Sequence, residues 1–146
     1  MVYIPLTLLN LQDDGFHFLM EVIVFDKPFK AVLDTGASKT VFDKATVETY
    51  LHPESVLRQT DMLSTGLGTN SMQSFVLNVP DLRIGELHLR NYEVAILDLS
   101  SINYAYEQLE VEPVIGVIGG DILARYGAVI DYRKKRLQLR QRKMRF

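Results

Sequence analysis

Apolar residues in this chain come in short alternating runs, each cut by turn residues before it reaches helical length, a pattern that belongs to strands. Across residues 16–25, Phe16, Phe18, Met20, Val22 and Val24 share one parity, and His17, Leu19, Glu21, Ile23 and Phe25 share the other. A period of two puts the first set on one face of a strand. Similar runs predict strands over 3–9, 29–33, 40–42, 56–63, 72–79, 82–84, 87–97, 114–118, 127–132 and 136–140. Turn chemistry separates them: Asp13-Asp14-Gly15, Asp26-Lys27-Pro28, a Gly-rich tip over 64–71, Gly85-Glu86 and Arg133-Lys134-Lys135. Helical signals are brief. Asp43 is placed to cap a helix ending near Leu51, just before Pro53. Residues 103–109 read as a short helix or an ordered loop, and Gly119-Gly120-Asp121 opens a helical turn through about Arg125, with Asp121 as its cap. The expected fold class is all-β with one or two short helices.

At 146 residues the chain is long enough for one domain and short for two, so residues 1–146 are read as a single domain. Hydrophobic residues at 47% and charged residues at 23% allow a real core and exclude disorder of the whole. No apolar run approaches the ~20 residues of a membrane span, and the start lacks the pattern of a signal peptide. The chain as written is therefore expected in the cytoplasm, with origin as a mature fragment of a longer precursor left open. Without cysteine there is no disulfide framework, thiolate nucleophile or Cys-based zinc site. His17, His52 and His88 lie far apart and lack metal-motif spacing, so neither a metal nor another cofactor is called for. His17 reads as a surface or satisfied histidine, and Tyr104 and Tyr106 as edge-packing residues more than cleft lining.

The net charge of −2 hides an uneven distribution. Residues 133–146 hold eight Lys or Arg and no acid, which leaves eight bases against 18 acids in the first 132 residues. Such a basic end can mean contact with nucleic acid or an anionic membrane. The alternation Arg136-Leu137-Gln138-Leu139-Arg140 favours a solvated terminal strand instead, leaving about 140–146 as the tail.

Asp34-Thr35-Gly36 stands at the end of the apolar strand 29–33 and before a second strand. A carboxylate that activates water has to project from a rigid element, and a neighbouring glycine lets the backbone turn and bring an N–H close. The tripeptide alone is weak evidence. Its context is stronger: Ala31-Val32-Leu33-Asp34-Thr35-Gly36-Ala37-Ser38 comes first, a Thr65-Gly66-Leu67-Gly68 hairpin tip about thirty residues later, and then Val117-Ile118-Gly119-Gly120-Asp121-Ile122-Leu123. In that order the three segments resemble the retropepsin-like aspartic proteases, over most of the chain.

The resemblance implies a closed or partly open β-barrel of the acid protease kind and an aspartic endopeptidase. It implies Asp34 as the catalytic carboxylate and Thr35, Gly36, Ala37 and Ser38 as its supporting loop. Thr35 would bond the opposite loop across an interface, and Gly36 would donate its N–H near the carboxylate. Thr65, Gly66, Leu67 and Gly68 would form a flap over peptide substrate, and Ile118, Gly119 and Asp121 would be structural supports beneath the loop. Hydrolysis by this route needs two aspartates sharing one proton. No second Asp-Ser/Thr-Gly occurs, since Asp61, Asp98, Asp121 and Asp131 lack the following residues. The other Asp34 would come from a second copy, in a homodimer with the site on its two-fold axis. Ala37 stands where pepsin-like lobes carry a hydroxyl donor, which points to an optimum at weakly acidic pH. A rival reading from another class is a binding or assembly domain that keeps this fold, hydrolyses little, and is monomeric.

Overall fold

In a computed structural model, residues 1–51, 58–60 and 74–146 are described. The strands and helices follow in chain order: β1 (Val2–Pro5), β2 (Thr7–Asn10), β3 (Phe16–Val24), β4 (Lys27–Leu33), β5 (Val41–Asp43), α1 (Lys44–Tyr50) and β6 (Arg58–Thr60). After them come β7 (Ser74–Ile84), β8 (Leu87–Leu97), α2 (Ser100–Gln108), β9 (Gly116–Ile118), α3 (Gly120–Arg125), β10 (Val129–Asp131) and β11 (Arg136–Leu139). The larger sheet runs β2-β3-β4-β9-β5-β8-β7-β6, and β3 also pairs with β7. That extra pairing closes a barrel of six strands, β3-β4-β9-β5-β8-β7, and leaves β2 and β6 attached outside it. A second sheet, β1-β11-β10, is built from the two ends of the chain.

Alternation decides what the barrel encloses. Phe18, Met20, Val22 and Val24 of β3 are buried together with Phe42, Leu82, Ile84, Val94, Ile96 and Ile118. Each fully buried Val, Leu or Ile contributes about 1.5–3 kcal/mol relative to exposure. A smaller cluster lies under α2, where Leu99 and Tyr106 are buried and Ile102 partly so, against Leu19, Val32, Val114 and Val117. Leu99, Ile102 and Tyr106 are spaced by three and four, which is why residues open to a loop reading form a helix.

Several expected boundaries shift for identifiable reasons. The single strand over 3–9 is two: β1 pairs with β11, and β2 with β3. Between them the buried Leu6 donates its N–H to the Lys135 carbonyl at 2.9 Å, at the point where the chain changes sheets. The first hairpin turns at Phe25-Asp26, with φ of 55° and 58°, because Val24 pairs directly with Lys27. Pro28 thus lies within β4, where β9 does not reach, since β9 pairs only with Ala31, Val32 and Leu33. That edge placement needs no N–H from proline. The runs 72–79 and 82–84 join in β7 through Pro80. Its start pairs with β6 and its end with β3, so the proline falls where β7 passes from one neighbour to the other.

The basic end behaves as a strand and a folded-back tail. Leu137 and Leu139 are buried and Arg140 is exposed. The Met144 N–H donates to the Arg125 carbonyl and the Arg140 N–H to the Tyr126 carbonyl, which ties the tail to the end of α3. Among the described residues no helix is long and apolar enough to cross a membrane.

Candidate active site

Asp34 follows the last residue of β4, and residues 34–40 lead into β5. These two strands do not pair with each other, because β9 runs between them, parallel to β4 and antiparallel to β5. The crossing is tight. A Cβ on Gly116 would lie 1.8 Å from the Val41 carbonyl oxygen, so only glycine permits it.

The loop hangs from the end of β9. Asp34 donates its N–H to the Ile118 carbonyl at 3.0 Å, Gly119 donates to the Thr40 hydroxyl at 3.1 Å, and Gly120 donates to the Ala37 carbonyl at 2.7 Å. A Cβ on Gly119 would come within 2.7 Å of the Ala37 oxygen, so this approach also requires glycine. Below the loop, Thr40 is fully buried, and both its N–H (2.9 Å) and its hydroxyl (2.8 Å) donate to Asp121 Oδ1. The Tyr92 hydroxyl donates to Asp121 Oδ2 at 2.7 Å. Burial, reinforced by this bond to a carboxylate, pushes the Tyr92 phenol well above its ordinary pKa. Asp121 is therefore a hub joining the loop, β8 and α3. The expectation that it caps α3 is incorrect: Gly119 occupies the cap position, and the carboxylate points to Thr40 and Tyr92.

Above this base the Asp34 carboxylate is half-buried and accepts the Gly36 N–H at 3.0 Å on Oδ1. Ala37 donates its N–H to the Asp34 carbonyl at 3.3 Å. Thr35, Gly36 and Ser38 are exposed, and the Thr35 hydroxyl has no partner among the described residues. Helix α2 closes in beside the loop, with the Tyr106 hydroxyl 2.7 Å from His17 Nδ1. Burial, with a smaller contribution from the negative charge of Asp34, pushes the Tyr106 phenol up to about 12. His17 is thus satisfied by hydrogen bonding, while Tyr104 is exposed and outside this contact.

The structure brings together Asp34, Thr35, Gly36, Ala37, Ser38, Ile118, Gly119 and Asp121. Thr65, Gly66, Leu67 and Gly68 lie outside the described residues. The loop carries one carboxylate only. Asp43 serves α1, Asp81 meets Arg83 and His88, Asp98 accepts from Ser100, and Asp131 accepts from Lys134. A depression of ≈ 980 Å³ beside α2, lined by Ser100, Asn103, Tyr104, Glu107 and Pro113, does not include the Asp34 loop and is a separate feature. Among the described residues no group of three or more His, Asp or Glu is placed to hold a metal ion. Sequence reading missed Thr40 and Tyr92. Their only signal is proximity to Asp121 across 81 and 29 residues of chain, which no local pattern encodes.

A family model described as aspartyl protease matches residues 20–122. Among solved structures, EIAV protease in complex with an inhibitor is similar at 23% identity and TM-score 0.53, over 72% of this chain and 83% of that one. A retropepsin-like aspartic protease from Rickettsia conorii is similar at 18% identity and TM-score 0.54, over 94% and 91%. The retroviral protease-like domain of Ddi1 from Leishmania major is similar at 15% identity and TM-score 0.56, over 86% and 89%. At these identities the structures speak for the fold. No curated protein sequence matches the chain.

Proposed function

The chain belongs to the aspartyl protease family, and from that premise we propose that it is an aspartic endopeptidase whose active site forms when two copies bring their Asp34 carboxylates together. The observation that carries this reading is the Asp34 loop itself. One carboxylate sits at an accessible position, oriented by the Gly36 N–H, on a base that five backbone and side-chain bonds to the β9–α3 segment hold in place. Beside it stands an exposed Thr35 hydroxyl with no partner in its own chain among the described residues, as a group that bonds across a two-fold axis would be.

In the proposed reaction the two Asp34 side chains share one proton. The protonated one donates to the carbonyl oxygen of the scissile peptide while the ionised one takes a proton from water, whose oxygen bonds to the carbonyl carbon. Collapse of the tetrahedral intermediate breaks the C–N bond, with a proton passing to the leaving amine. Substrate is an extended peptide held by strand-like backbone bonds, with Thr65, Gly66, Leu67 and Gly68 as its flap. No metal or cofactor is required by this scheme.

The alternative, a fold-keeping domain that binds but does not cut, is favoured by one observation: the chain ends pair with each other in β1-β11-β10, so they need no second copy to find a partner strand. One paired experiment separates the two. Solution mass is measured, and pepstatin-sensitive cleavage is compared between the wild type and Asp34→Asn. The proposal expects a dimer and a loss of about a hundredfold or more in the variant. A strict monomer, or equal cleavage by both proteins, sinks it.

A further inference from the structure

We infer that the outward face of the β1-β11-β10 sheet, together with residues 140–146, is a docking surface for an anionic phospholipid membrane. The inference uses no residue of the Asp34 loop and does not rest on the protease reading. Strand register sorts the side chains of this sheet into two sets. Val2, Ile4, Leu137 and Leu139 are buried in the main core. Directly paired residues share a face, so Tyr3, Gln138 and Val129 point the other way in one row, and Pro5, Arg136 and Asp131 in the next. Continued by one residue, the same register sets Met1 opposite Arg140, at the end of the sheet where the tail departs.

Charge on this surface is almost wholly of one sign. The strands, their turn and the tail carry the eight Lys and Arg of residues 133–146, and of the 18 acids in the chain only Asp131 belongs to them. Asp131 is partly buried and accepts the Lys134 N–H. All of these bases except Arg136 are exposed, and they flank the sheet at both ends, 133–135 in the turn and 140–145 in the tail. Every other acid belongs to the rest of the chain. An anionic surface therefore attracts this face and repels the body, which orients the molecule.

Apolar groups are mixed into the same surface, and they decide between a membrane and a nucleic acid. Met1 (63% exposed), Tyr3 (50%), Val129 (51%) and Phe146 (93%) are four of the eight large hydrophobic side chains that stand exposed among the described residues. Single exposed apolar residues need no explanation, but their concentration on one basic sheet and its tail does. Aliphatic Met1 and Val129 gain by entering the boundary between headgroups and acyl chains, and they offer a nucleic acid base nothing to stack on. The Tyr3 ring is covered on one face by the Arg136 guanidinium, 4.4 Å from its centroid, so it is not a free stacking platform either. A charged group over an amphipathic ring suits the headgroup layer. Bonds from the Arg140 N–H to the Tyr126 carbonyl and from the Met144 N–H to the Arg125 carbonyl hold the tail against the segment just before β10. Phe146 follows two residues later, so it is kept near the sheet.

The chain has no tryptophan, so Phe146→Trp supplies a single fluorophore. On vesicles of equal parts phosphatidylserine and phosphatidylcholine its emission is expected to move to shorter wavelength and to become shielded from aqueous iodide. The wild-type protein should sediment with the same vesicles, and pure phosphatidylcholine should give neither result. Combining Arg142→Gln, Lys143→Gln and Arg145→Gln removes three exposed charges and should weaken partitioning about a hundredfold. Val129→Ser and Phe146→Ser leave the charge unchanged and should each weaken it severalfold, with circular dichroism confirming an intact barrel. Absence of binding to the mixed vesicles overturns the inference. Binding indifferent to both serine variants also overturns it, because charge attraction alone would then account for the contact. Tighter binding to a single-stranded RNA than to the vesicles, lost in the triple glutamine variant, overturns it in favour of a nucleic acid partner.

Discussion

Replacing Asp121 by alanine strands three donors at once: the Thr40 N–H, the Thr40 hydroxyl and the Tyr92 hydroxyl. Thr40 is fully buried, so the loss is not repaired by bulk water. A destabilisation of about 3–5 kcal/mol is expected from unsatisfied buried partners. Asp121→Asn keeps an acceptor for Thr40, which limits its cost to about 1 kcal/mol. Urea midpoints at constant slope measure both values, and equal costs for the two substitutions would contradict the hub. Sequence reading identified Asp121 as structural and misassigned its work. An Asp next to a helix start reads locally as a cap, and its true partners are remote in sequence. The Asp34-Gly36 turn was legible because the Gly36 N–H meets a carboxylate two residues away, whereas the need for glycine at 119 comes from its approach to Ala37, remote in sequence.

Among the elements, α1 and the first hairpin carry opposite lessons. The Asp43 carboxylate accepts from the Thr46 N–H at 3.2 Å and the Thr46 hydroxyl at 2.8 Å, as a cap should, and it also accepts the Leu99 N–H at 2.9 Å. The cap was readable in advance, and the tie to the start of α2 was not. Asp43→Ala is expected to cost about 2 kcal/mol, more than the ~1 kcal/mol typical of a cap, because a buried N–H is orphaned as well. Asp43→Ser, which restores a cap acceptor alone, should recover only part of that in thermal melts. The hairpin moved from Asp26-Lys27-Pro28 to Phe25-Asp26 because pairing of Val24 with Lys27 leaves two residues for the turn. Both then adopt the left-handed region, where glycine is favoured. Phe25 stacks near Tyr50 of α1, centroids 6.2 Å apart, so its position is held by packing. Asp26→Gly relieves strain without touching that contact and should raise stability by about 0.5–1 kcal/mol. A lower melting temperature would show that the Asp26 side chain has a role of its own.

Over the whole molecule, alkaline pH probes how tightly α2 is seated beside the Asp34 loop. Tyr106 has its pKa raised to about 12, and burial pushes Tyr92 and Tyr126 upward too. For a group whose folded pKa lies above its unfolded value, the folded state binds more protons in the window between them. Stability is then complete below about pH 10 and falls as pH rises towards 12. Tyr106→Phe should flatten part of this decline, leaving the share due to Tyr92 and Tyr126. An unchanged alkaline slope in the variant would count against burial of the Tyr106 hydroxyl in solution.

The sequence by itself determined the all-β class, most hairpins and the presence of a single Asp34-Thr35-Gly36 loop, because alternation and turn chemistry act over a few residues. Only the tertiary structure decided which strands became neighbours: β3 closing on β7, β9 inserted between β4 and β5, and the two chain ends joined through β11. Periodicity states which face of a strand is buried and is silent on its partner. Pairing across most of the chain is chosen by closure of the core and by loop entropy, which belong to the fold as a whole.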